Sequence, residues 1–151
     1  MTSKKWFLPA VLALILVLPV ACYTILYLLA PGYAGHFDVV ESNWGVTLPW
    51  NAGWQEIYGN NQRDGFHGDG LSYYVYTCED GGEMDGLFDW QTTKTPHANC
   101  ETWLDELGVP ADVRPPYTEC GMKRMTQSDG SEALFWWHSV AKTLYIAESY
   151  Q

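Results

Sequence analysis

The chain is short of positive charge: 8 Lys and Arg stand against 18 Asp and Glu in 151 residues. Lys4 and Lys5 precede a long apolar run, so only six basic residues accompany all the acidic ones after it. That part is about twelve charges negative with His neutral. Such a surface repels phosphate backbones and anionic headgroups, which excludes nucleic acid as a partner. Cysteine is scarce too. Four cysteines with no C-x-x-C pair exclude a thioredoxin-like centre and a Cys-rich zinc site. There is no internal repeat, no long low-complexity tract, no H-E-x-x-H, no nucleophile elbow and no Gly-rich loop ending in Lys-Ser/Thr. With no catalytic motif present, no cofactor and no metal are expected.

What the chain does have is an apolar segment. Residues 6–30 carry no charge and are rich in Leu, Ile and Val. A helix of that length, rising about 1.5 Å per residue, spans the roughly 30 Å hydrocarbon core of a bilayer. Pro9 falls in the first turn, where its missing N–H is harmless, while Pro19 lies mid-helix and predicts a kink. Trp6, Tyr27 and Tyr33 suit the interfacial belts, and Lys4 and Lys5 hold the N-terminus in the cytoplasm. The expected organisation is a cytoplasmic tail (1–5), a transmembrane helix whose partner is the lipid bilayer (6–30) and one extracytoplasmic domain (31–151), single-pass in a bacterial cell membrane. Two rivals fit less well. A cleaved signal peptide ending near Gly32 and Ala34 would have a shorter apolar stretch, about 7–15 residues. A lipoprotein with Cys22 lipidated would not place Pro19 in Leu18-Pro19-Val20-Ala21, nor continue apolar beyond the cysteine; Cys22 reads as a small apolar residue in the span.

The domain reads as α+β, an antiparallel sheet of four to six strands with one packed helix. Residues 36–40 and 55–58 suggest short strands. Residues 71–77, Leu-Ser-Tyr-Tyr-Val-Tyr-Thr after a glycine-rich turn, form a strand. The acidic stretch 78–89 fails the spacing of a calcium loop and reads as a solvated hairpin or loop. Thr95-Pro96 supplies an N-cap and first turn, and Cys100, Trp103, Leu104 and Leu107 recur at helical spacing, with Gly108 and Pro110 as stop signals. Glu101, Asp105 and Glu106 fall on the outer faces. Residues 132–138 and 143–150 make a hairpin in which Trp137 faces Leu144, Phe135 faces Ile146 and Ala133 faces Glu148, so Glu148 shares a face with large apolar groups.

Cys78, Cys100 and Cys120 follow the span, where disulfides persist, and a bridge from Cys100 to Cys120 or to Cys78 is expected. The string Gly65-Phe66-His67-Gly68-Asp69-Gly70 presses two polar side chains into a tight turn. His67 as base or metal ligand, Asp69 as its orienter and Glu148 as a third polar group would form a candidate cluster, if the last strand lies beside residues 71–77. Short polar side chains bonded to turn backbone explain the same string. Trp44, Trp50 and Trp54, in a loop-rich region, are candidates for an exposed aromatic surface. His36, His97 and His138 are scattered, and His138 reads as a surface residue.

The N-terminal span, the Gly65–Gly70 turn entering Tyr73-Tyr74-Val75-Tyr76, and the terminal Leu144-Tyr145-Ile146-Ala147-Glu148 strand together resemble small uncharacterised membrane-anchored proteins of Gram-positive bacteria. The likeness implies an anchor and an α+β domain, and no catalytic residues. The function expected is a non-enzymatic interaction module that meets an envelope protein. A metal-dependent hydrolase at His67, Asp69 and Glu148, and a sensor or immunity-type regulator, are the alternatives.

Overall fold

The computed structural model describes residues 34–63 and 69–151. The expected transmembrane segment, and residues 64–68 of the glycine-rich turn, lie outside them. No described helix is long and apolar enough to cross a membrane.

The first element corrects the sequence reading. Residues 36–40 are not a strand; they belong to helix α1 (Ala34–Trp44). His36, Val40 and Trp44, at i, i+4 and i+8, are all buried and form the inner stripe of this helix. Gly45, at φ +66°, closes α1 by donating to the Glu41 carbonyl at 2.8 Å.

Six strands follow: β1 (Gln55–Arg63), β2 (Gly70–Thr77), β3 (Gln91–Thr92), β4 (Gly121–Thr126), β5 (Glu132–His138) and β6 (Thr143–Tyr150). They pair antiparallel in the order β1-β2-β6-β5-β4-β3. The architecture is thus α+β as expected, and the C-terminal hairpin has the expected register, with Trp137 opposite Leu144 and Ala133 opposite Glu148. β1 is longer than residues 55–58, and a bulge between Glu56 and Tyr58 throws Ile57 outward.

Both faces of the sheet are covered, rather than one. On the first, Tyr73, Val75, Leu134, Trp136 and Ala147 pack with Cys100, Leu104 and Leu107 of helix α3 (Cys100–Glu106) and its exit. The expected helical stripe is therefore the one buried, but the helix begins later than Thr95-Pro96. His97 and Asn99 instead direct their side chains to Glu132 on β5, at 3.7 and 3.4 Å, and residues 95–99 stay outside the helix. At the other end Gly108 donates to Asp105 and Val109 to Leu104, a Schellman closure whose positive φ at Gly108 (+64°) favours glycine. Arg114 clamps this helix, donating to Glu101, Asp105 and the Val109 carbonyl.

The second face carries Tyr76, Phe135, Trp137, Leu144 and Ile146, and α1 lies over it: the Phe37 ring meets Tyr76 edge-on at 4.8 Å. The acidic stretch 78–89 includes one helical turn, α2 (Gly82–Asp85), whose Met84 is fully buried.

Candidate functional site

Alternation along β6 sends Leu144, Ile146, Glu148 and Tyr150 to one side of the sheet. Glu148 therefore enters an apolar layer, in the strand flanked by β2 and β5, with no exposed surface at all. An ionised carboxylate in such a place needs donors. Among the described residues, four converge on it. Trp44 Nε1 and the Tyr150 hydroxyl donate to Oε1 at 2.7 and 2.5 Å. The Ser72 hydroxyl lies 2.6 Å from Oε2 and His36 Nε2 lies 3.1 Å from it. Burial pushes the Glu148 carboxyl upward, but the His36, Ser72 and Tyr150 hydrogen bonds and the His36 charge outweigh it and hold the group down at about 2.

The donors come from three elements. Ser72 stands directly across from Glu148 in the β2–β6 ladder. Tyr150 is two residues on in the same strand and also accepts from Asn43 Nδ2 at 3.2 Å. His36 and Trp44 come from the two ends of the buried stripe of α1. The imidazole of His36 is further fixed by stacking on Tyr74, centroid to centroid 3.7 Å, and by a 2.9 Å hydrogen bond between Nδ1 and the Tyr76 hydroxyl. Tyr76 in turn lies 3.4 Å from Glu56.

Of the expected cluster, Glu148 alone sits at this centre among the described residues. His67 lies outside them. Asp69 is exposed, three residues along the chain from the Ser72 that faces Glu148, a span of about 10 Å in extended chain. Among the described residues no group of three or more His, Cys, Asp or Glu side chains is arranged to hold a metal ion. The three tryptophans separate. Trp44 and Trp54 are buried, at 6% and 3% exposure, and only Trp50, at 87%, faces solvent. Val46, Leu48, Ala52 and Trp54 turn inward along this segment, and Trp54 Nε1 donates to the Pro49 carbonyl at 2.6 Å, so an apparently irregular loop is a packed one. Cys78, Cys100 and Cys120 carry free, buried thiols; burial raises Cys100 and Cys120 to about 12. His138 bridges the Ala141 amide and Glu119 at the hairpin turn.

No family model, curated protein or solved structure matches the chain.

The sequence reasoning missed His36, Trp44, Ser72 and Tyr150 as partners of Glu148. Two signals were there. Placing β6 beside β2 in register puts Ser72 opposite the carboxylate, and reading residues 36, 40 and 44 with a helical period puts His36 and Trp44 on one side.

Proposed function

We propose that the chain is a single-pass membrane protein of a bacterial envelope, whose acidic domain is a non-enzymatic interaction module. The carrying observation is the state of Glu148, the carboxylate that a hydrolytic site would have to use. Each of its oxygens already accepts two hydrogen bonds from protein donors, so a metal ion or a substrate proton would have to displace them. A carboxylate held in this way fastens structure: it ties α1 to the central strands. The anchor is supported by the uncharged run 6–30, rich in Leu, Ile and Val, behind Lys4 and Lys5. Three residues, 31–33, separate that run in the sequence from the start of α1 at Ala34.

The test is crosslinking of the full chain in cells, followed by recovery from the membrane fraction. The expected result is reproducible capture of specific envelope proteins from membranes. Recovery in the soluble fraction would refute the anchor, and membrane recovery with no protein crosslinked at any density would refute the interaction module.

A further inference from the structure

We propose that Trp50 and the cleft beside it dock a lysine- or arginine-bearing segment of a partner polypeptide. This rests on the interaction reading above and gives its partner a chemistry. Trp50 is 87% exposed at the tip of a braced turn. Pro49 O accepts from Ala52 N at 3.3 Å and from the Trp54 indole, and Ala52 O accepts from Glu79 N at 2.9 Å and Asp80 N at 3.2 Å. The braced backbone fixes where the indole projects, so a partner need not order the turn itself.

The residues on either side of Trp50, Pro49 and Asn51, line a cleft completed by Ala52, Asp80 and Glu83. The cleft holds about 20 Å³, far below the roughly 300 Å³ at which small-molecule pockets begin, so it excludes a whole metabolite and an arriving cation would rest at its mouth rather than inside it. Its charge selects the kind of side chain. Two carboxylates wall it, and from residue 34 to 62 and 69 to 93 the sequence holds nine Asp and Glu and no Lys or Arg. Lys142 reaches this segment but donates to the Glu79 carbonyl. Tryptophan is the aromatic ring that best attracts an ammonium or guanidinium across its face, and neighbouring carboxylates add to that attraction. A neutral sugar would gain the stacking but not the charge.

The test uses the full chain in non-ionic detergent and a fluorescein-labelled decapeptide of alternating Lys and Gly, read by fluorescence anisotropy. Saturable binding is expected, weakened about tenfold in Trp50→Ala and in Glu83→Gln. Glu106→Gln, an equal charge loss on α3, should leave it unchanged. Because Trp50 and Glu83 are exposed, the variants should melt as the parent does. Absence of binding, equal loss in all three variants, or equal binding of a neutral oligosaccharide would each overturn the proposal. If envelope proteins still crosslink to Trp50→Ala with undiminished yield, this site is refuted while the interaction module stands.

Discussion

Replacing Glu148 by Gln tests the centre of the structure with almost no change in shape. The carboxylate accepts from Trp44 and Tyr150 on one oxygen and from Ser72 and His36 on the other. An amide keeps one acceptor oxygen and turns an NH2 toward the other pair, whichever way it is flipped. Two hydrogen bonds to a charged acceptor, each worth about 1.5–3 kcal/mol, are then lost. A Ser or Tyr hydroxyl can rotate to accept from the new amide, so the loss should settle near the lower end, about 3 kcal/mol. The lowered acidity range of the carboxyl leads to a similar figure. At 1.36 kcal/mol per pH unit, lowering the carboxyl from 4.5 to about 2 on folding is worth about 3 kcal/mol.

The sign follows from which state binds the proton. Because the folded-state value is the lower one, the unfolded chain takes up the proton first as pH falls. The stabilisation is complete above about pH 5 and disappears as pH falls to about 2. Urea unfolding of the full chain in non-ionic detergent, followed by tryptophan fluorescence, should show Glu148→Gln about 3 kcal/mol less stable at pH 7, with the gap closing between pH 5 and pH 2. A gap under about 1 kcal/mol, or one that stays constant over that interval, would refute the account of Glu148 as an ionised, saturated acceptor.

Three further outcomes follow from the packing. Trp54→Ala should cost about 3–5 kcal/mol and Trp50→Ala no more than about 0.5, because one indole is 3% and the other 87% exposed; urea midpoints in the reverse order would show that the turn packs differently. A Cβ added at Gly121 would lie 2.6 Å from the Cβ of Trp90, an atom fixed to backbone, so Gly121→Ala should cost about 1–3 kcal/mol and speed amide exchange in β3, and unchanged exchange there would contradict the contact. With Cys100 and Cys120 thiols raised to about 12 by burial, iodoacetamide at pH 8 should label them only as fast as the chain unfolds. Rapid labelling of the native chain would contradict that burial, and a mass deficit of two hydrogens would reveal a bridge instead.

The parts legible in the sequence were those where one period dominates. The β5–β6 register follows from two apolar stretches separated by a short turn. The α3 stripe follows from four apolar residues at helical spacing closed by Gly108. The position of Glu148 among apolar side chains followed from the same alternation. What stayed hidden depended on polar residues standing in apolar places. His36 occupies the first position of the α1 stripe, and with a polar residue there the remaining Phe37, Val39 and Val40 look like a short strand. Trp44 and Trp54 lie among Gly, Asn and Pro, a composition that suggests exposure. Their burial is imposed by contacts far along the chain, with Glu148 and Tyr76, which no local window contains.

Why place a carboxylate in a layer that could be filled with Leu? Buried ion pairs seldom stabilise more than well-packed apolar replacements, so the network around Glu148 is better understood as fixing where α1 sits. Val40 could pack on the sheet after a slide of one turn. His36 and Trp44 could not, since the slide would leave the carboxylate without two of its donors. The consequence is testable with the triple variant His36→Leu, Tyr150→Phe, Glu148→Met, which removes the charge together with two of its partners. Although it deletes more than Glu148→Gln, it should be the more stable of the two, because it leaves Trp44 and Ser72 without an acceptor but turns no new NH2 toward the donors it strands, as the glutamine does. Amide exchange in α1 should nevertheless be faster than in the parent, as the helix loses its fixed register. A triple variant no more stable than Glu148→Gln, or one whose α1 amides are as protected as the parent's, would show that the network supplies stability rather than position.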